Sequence, residues 1–225
     1  MKLLLTSSGL SKRVIGEALQ DMFDKSPSEV KVGFIPTAAN VEPYSKDWVI
    51  SQFDQLQRYG FYQIDIVDIA ADGVDWRTRL EACDMLWLSG GNTFYLLDQV
   101  RKTGFDGWLS EQLKTPNAYK SKKGLTFSAG EKVYVGGSAS TILVTPTIKI
   151  ADGVDDNVVG LEDFTGLGLV GFETNVHCNA AMIEATKAYA DASSHAVYAL
   201  DDLSAIKVVD GNVEVISGGS WRLYE

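Results

Sequence analysis

Short apolar runs bounded by turn residues alternate with longer segments of helical period along this chain, and nothing else in the sequence restricts its fold as much. Such alternation is the pattern of strand–helix–strand units, which build an α/β fold with a mostly parallel sheet and helices on both faces. The first strand is read at Lys2–Thr6, with others at Val30–Ile35, Ile64–Asp68 and Met85–Leu88. A helix is expected from Lys46 to Tyr59, with Trp48, Phe53 and Leu56 on its buried side, and others at Phe94–Lys102, Phe105–Lys114 and Asn179–Asp191. Ala205–Val209 and Val213–Ser217, split by Asp210-Gly211-Asn212, read as a terminal β-hairpin. No repeat or low-complexity linker interrupts the pattern, and a length of 225 residues suits a single domain over 1–225.

This layout says where chemistry should lie. In open α/β sheets, ligands bind beyond the carboxyl ends of the strands. The loops at Thr6–Gly9, Pro36–Asn40, Ser89–Thr93, Gly136–Ala139 and Thr174–Asn179 should therefore share one rim. Charge narrows the partners. A formal net charge of −10 repels phosphate backbones and anionic lipid, which disfavours nucleic-acid and membrane-surface roles. The only two cysteines, Cys83 and Cys178, are far apart and have no Cys or His at metal-ligand spacing, so neither a disulfide framework nor a metal site is indicated. Free thiols suggest a reducing compartment, and MKLLLTSSG is too short for the apolar core of a signal peptide, which together point to the cytoplasm. No segment approaches 18 uninterrupted apolar residues. A homodimer is left open.

The stretch Gly124–Pro146 holds two near-copies of one hydrolase signature, around Ser128 and around Ser138. A nucleophile elbow needs a strand entering a strained turn, small residues two before and two after the serine, and a helix leaving. Ser128 has Thr126 two before it and a β-branched run soon after, so it reads as the turn that starts a strand. Ser138 follows Val133-Tyr134-Val135, has Gly136 at minus two and Ser140 at plus two, and leads into Ala139–Val144 before Pro146. Ser138 is the candidate nucleophile; taken locally, the same residues could also be a plain strand–helix connection with a serine cap. A serine hydroxyl needs a base, usually histidine. His177 ends an apolar strand expected at Leu167–Phe172 and reaches the predicted rim, whereas His195 is placed on the opposite rim.

At this point the residues resemble a known family. VGFIPTAAN (Val32–Asn40), LSGGNTFYLLDQVRKTG (Leu88–Gly104), VYVGGSAS ending in PTI (Val133–Ile148) and GLGLVGFETNVH (Gly166–His177) are similar, in the same order, to the blocks of the dipeptidase E (α-aspartyl dipeptidase) family of serine peptidases, relatives of cyanophycinase. The resemblance implies a fold like that of the class I glutamine amidotransferases, a short peptide as substrate and no cofactor. It puts the nucleophile on Ser138, the base on His177 and the Gly-Gly-Asn-Thr loop on Gly90-Gly91-Asn92-Thr93. The amide of Gly91 in that loop, with the amide of Ala139, would form an oxyanion hole. A phosphate-binding loop is the rival use of such glycines, but neither Gly-Lys-Ser/Thr nor Gly-x-Gly-x-x-Gly is present. Asn92, Thr93 and Asn40 are expected to bind substrate, on position alone.

Three departures from the family pattern bear on the site. The usual glycine two after the nucleophile is Ser140, which would strain a turn needing positive φ. The usual acid position, fifteen after the nucleophile, is Gly153, so Asp155 is taken as the triad acid, with Asp152, Asp156 and Glu173 as the other candidates. The segment Cys178–Val197 holds no arginine and only Lys187 as a fixed positive charge, so an aspartyl preference is not carried over. A binding protein that has lost activity on the same fold, or an esterase or amidase, are the alternatives.

Overall fold

The structure is a computed structural model that describes every residue except Tyr44 and residues 115–117, 121–125 and 129–131; the side chains of Lys114, Ala118–Lys120 and Thr126–Ser128 are also outside the description. In chain order, β1 (Lys2–Thr6) leads to α1 (Arg13–Gln20), β2 (Lys31–Ile35) to α2 (Asp47–Arg58), and β3 (Gln63–Ile66) to α3 (Trp76–Glu81). Next come β4 (Met85–Leu88), α4 (Thr93–Thr103), α5 (Phe105–Lys114) and a small antiparallel pair, β5 (Ala118–Lys120) and β6 (Thr126–Ser128). Then β7 (Val133–Gly137) enters α6 (Ala139–Leu143), β8 (Glu173–Asn175) precedes α7 (Ile183–Ala192), and β9 (Val197–Leu200), β10 (Ser204–Val209), β11 (Asn212–Ser217) and β12 (Trp221–Tyr224) close the chain.

The main sheet has the order β11-β10-β1-β7-β4-β2-β3. Its strands β1, β7, β4, β2 and β3 run parallel, and β10 and β11 add to one side antiparallel. The α/β architecture with a mostly parallel sheet is thus the one the alternation predicted. The reason is visible strand by strand. Successive side chains of a strand point to opposite faces. Leu3, Leu5, Leu86, Leu88 and Tyr134 pack into one apolar cluster. Leu4, Met85, Trp87, Val133 and Val135 pack into another, under α1 and α2. A strand covered on both faces must be apolar at every position, which is why these runs do not alternate.

The hairpin forms with β10 and β11 joined through Asp210 and Gly211, both at positive φ (50° and 85°), the backbone a tight two-residue hairpin turn requires. It is built into the main sheet through β10 against β1, and β12 follows it. Two local expectations differ from the structure. Trp48 is 37% exposed, and Gln52, at 7%, takes its place on the buried side of α2 with Leu56. Leu167–Phe172 is not a strand. Its backbone instead satisfies the open end of α6: the N–H of Leu167 donates to Leu143 O (2.9 Å) and that of Leu169 to Val144 O (2.9 Å). The strand begins only at Glu173 and joins a second sheet of order β12-β9-β8. Of the turn expected at Ser128–Gly130, Ser128 is the last residue of β6 and 129–130 lie outside the described residues. Among the described residues no helix is long and apolar enough to cross a membrane.

Candidate active site

At the carboxyl end of β7 the chain makes a sharp turn at Ser138, whose backbone has φ 54° and ψ −114°, and leaves along α6. Positive φ at a residue with a side chain costs about 1–2 kcal/mol, so neighbouring contacts must hold it. They do: Ser138 N–H donates to Thr6 O (3.1 Å), and Thr141 Oγ1 donates to Thr6 O (2.8 Å). A Cβ on Gly136 would lie 2.9 Å from Ser140 O, so only glycine lets strand and helix approach this closely. Ser140 does not distort the turn. It lies inside α6, away from positive φ, fully buried, with Oγ 2.6 Å from Leu88 O and accepting from Gly137 N–H (3.1 Å). The hydroxyl ties the elbow to the end of β4, a contact a glycine could not make.

His177 faces this serine, its Nε2 2.8 Å from Ser138 Oγ. It stands two residues beyond β8 and also has positive φ (54°). Its backbone N–H donates to the buried Ser7 Oγ (2.8 Å), and the N–H of Cys178 donates to Leu200 O (2.9 Å). Because β8 and β9 are parallel neighbours, their carboxyl ends emerge side by side. That brings Asp202, just past β9, onto the other ring nitrogen: His177 Nδ1 hydrogen-bonds Asp202 Oδ1. A carboxylate only accepts, so Nδ1 carries the proton and Nε2 is left to accept from Ser138. Ser7 Oγ also approaches Asp202 Oδ1 (3.4 Å). The side chains of His177 and Asp202 are 46% and 59% exposed, so one flank of the array is open to solvent.

The carboxylate on His177 is therefore Asp202 and not Asp155. Asp155 Oδ2 accepts from the N–H of Thr93 (2.8 Å), and no hydrogen bond joins it to His177. Asp156 presents its carbonyl to Asn92 Nδ2 (2.8 Å), and Asp152 and Gly153 lie in an exposed turn, Gly153 at φ 81° with no atom near its missing side chain. Glu173 is buried at the opposite end of β8, accepting from Tyr189 Oη and Ser193 Oγ, with His195 Nδ1 3.4 Å away. The expected alternation that would place it beside His177 fails because the strand stops at Asn175 and the backbone turns over at His177.

The Gly-Gly loop lies against the serine. A Cβ on Gly90 would come within 3.0 Å of Ser138 Cβ, and Gly91 has φ 142°, with its α-carbon packed on the Ala38 carbonyl. The amides of Gly91 and Ala139 donate to no acceptor among the described residues. Asn92 and Thr93 have structural work: Asn92 Oδ1 caps α4 by accepting from Tyr95 N–H (2.9 Å), and Thr93 is buried. Asn40 Nδ2 donates to Asp68 Oδ2 (2.8 Å). None of Asn40, Asn92 and Thr93 lines the cavity of about 290 Å³ that opens in front of Ser138. Glu42, Trp48, Gln52 and Asp155 do, together with Gly90, Gly91 and His177. Partial burial, and then the negative charge of Asp155, push the Glu42 carboxyl above its ordinary range.

Asp202, Glu42 and Gln52 were not singled out by sequence, whereas Ser7 belongs to the Thr6–Gly9 loop expected on the rim and Trp48 was expected on the buried side of its helix. Asp202 carried a usable signal, since it follows the apolar run Val197–Leu200 and so stands at the carboxyl end of a strand, the position the rim argument favours.

Comparison with known proteins bears on what such an array belongs to. An uncharacterized peptidase of Listeria monocytogenes serovar 1/2a is 29% identical over 160 residues, 70% of each chain. A peptidase E of Salmonella arizonae is 28% identical over 186 residues, covering 82% of this chain and 72% of the relative. A crystal structure of a candidate peptidase E protein from Listeria monocytogenes EGD-e superposes with a TM-score of 0.77 at 25% identity, over 97% of this chain and 98% of that one. The family model of peptidase family S51 matches residues 3–216, nearly the whole chain, and the chain belongs to that family.

Proposed function

We propose that this protein hydrolyses short peptides as a serine peptidase, through an acyl-enzyme on Ser138. The carrying observation is the unbroken hydrogen-bonded line from Ser138 Oγ through the His177 ring to Asp202. Ser138 attacks the scissile carbonyl carbon as its proton passes to His177 Nε2, and the carbonyl oxygen becomes an oxyanion held by the free amides of Gly91 and Ala139. The tetrahedral adduct collapses, His177 returns the proton to the leaving amine, and the first product departs. Water then attacks the ester with His177 again as base, releasing the acid and restoring the Ser138 hydroxyl. Asp202 holds the ring in the tautomer this requires and stabilises the imidazolium. Apart from the peptide and the attacking water, each step uses side chains and backbone amides of this chain.

The test is active-site labelling. A fluorophosphonate should add to Ser138 in the folded protein, located by mass spectrometry, and Ser138→Ala should abolish both the adduct and the release of amino acids from a dipeptide library. Labelling at another residue, or none in folded protein, would overturn the proposal.

A further inference from the structure

The cavity in front of Ser138 is lined by two carboxylates, Glu42 and Asp155, and by the indole of Trp48; among the described residues no lysine or arginine lines it. Negative charges thus face one another there. Asp156 adds to the field on Glu42 and Lys46 opposes it, but the Lys46 ammonium donates to the Glu42 backbone carbonyl (3.1 Å) and makes no ion pair with the carboxylate. Asp155 has one oxygen on Thr93 N–H and the other without a partner among the described residues.

A second observation points to the same ligand from the other side. Gln52 is more than nine-tenths buried and also lines the cavity. The Trp87 indole N–H must donate, and it donates to Gln52 Oε1 (3.0 Å), which fixes the amide's orientation. Gln52 Nε2 is thereby turned the other way, toward Gly137, and has no acceptor among the described residues. Gln52 Nε2 is not one of the solvent-inaccessible atoms left without a partner, so it meets the open cavity and can donate there to an occupant that brings an oxygen as well as a cation.

We propose that this pocket selects peptides carrying a cationic group beside the scissile bond, with Glu42 and Asp155 taking the ammonium or guanidinium and Gln52 donating to a substrate oxygen. The inference rests on the peptidase reading and adds the substrate class to it. The face of Trp48 would flank the cation, and an acidic side chain would meet like charge and be rejected. A free peptide α-ammonium and a basic side chain present the same chemistry, and the experiment separates them.

Binding is measured by calorimetry on Ser138→Ala, where no turnover intervenes, with alanine amide, N-acetyl-alanine amide, N-acetyl-lysine amide and N-acetyl-aspartate amide. One or both cationic ligands should bind on the order of tenfold more tightly than the neutral one, the factor a charge-assisted hydrogen bond supplies, and the aspartate ligand should bind worst. Which cation gains identifies its source. Glu42→Gln in the same background should remove most of the difference, with Asp155→Asn as the second variant if the first fails to fold. The kcat/KM ratio of matched cationic and neutral p-nitroanilides in wild type should show the same order. Equal binding of charged and neutral ligands, or preference for aspartate, would overturn the inference. It would do so even in protein whose Ser138 takes the fluorophosphonate, whereas absence of that adduct counts against the peptidase reading and leaves the calorimetry to decide the cation.

Discussion

Ser138 and His177 share an uncommon backbone state: both have side chains and both sit at φ 54°. Strain of this kind persists only where surrounding contacts over-determine it, and it aims the hydroxyl and the ring at each other. Asp202 completes the line, which gives a prediction that separates it from the carboxylate the sequence favoured. Asp202→Asn keeps the shape but lets the side-chain amide donate to Nδ1, forcing the wrong tautomer, so kcat should fall by about 10⁴. Asp155→Asn should fall well short of that, and steady-state kinetics on both variants decides between them. Glu42 offers a stability test at the same scale. Its carboxyl is raised by partial burial and by Asp155, so the folded state resists its ionisation more than the unfolded state does. The stability it contributes is full below the unfolded value near 4.5 and is lost as pH rises through the folded value. Glu42→Gln cannot undergo that loss. Its melting temperature should exceed that of wild type at pH 7, and the two curves should converge below pH 4.5.

At the scale of elements, strands and helices of the parallel sheet were legible because each is set by local pattern: an apolar run covered on both faces, then a segment of helical period. Met85–Leu88 and Phe105–Lys114 were read to the residue for that reason. Leu167–Phe172 is not a strand because its apolar character serves core packing while its amides serve the carbonyls at the end of α6, 24 to 26 residues back, which no window of sequence reveals. The carboxylate beside His177 escaped the sequence for a related reason. Spacing along the chain pointed to Asp155, whereas the parallel pairing of β8 with β9, a tertiary fact, delivers Asp202 to His177. Tertiary use also explains Lys132, at the start of β7. It is 7% exposed, and its ammonium donates to the carbonyls of Leu80 (3.1 Å), Glu81 (2.9 Å) and Cys83, closing the C-terminal end of α3. Lys132→Met would remove the ammonium from the Glu81 and Cys83 carbonyls and leave its own buried place apolar, while Leu80 O keeps the N–H of Cys83 (3.1 Å). Its urea midpoint should drop by the equivalent of about 3 kcal/mol with an unchanged m-value; an unchanged midpoint would mean that water reaches the end of α3.

Over the whole molecule, the formal charge of −10 and the acidic lining of the cavity have the same sign. A cationic peptide is drawn first by the summed field and then by the carboxylates at the site, and the two contributions respond differently to salt. The Debye length shrinks from about 30 Å at 0.01 M to about 8 Å at 0.15 M, which removes long-range attraction and leaves short contacts inside the cavity largely intact. Raising ionic strength across that range should lower kcat/KM for a cationic peptide by a factor on the order of ten, the low end of what electrostatic steering supplies, and leave a neutral peptide nearly unaffected. Replacing Glu42 by Gln changes the net charge only from −10 to −9, since one carboxylate of the 30 Asp and Glu is lost. The variant should therefore bind the cation less tightly at every ionic strength while keeping most of the salt slope. A slope abolished by that single substitution would place the whole attraction inside the pocket and leave the molecular charge without a role in capture.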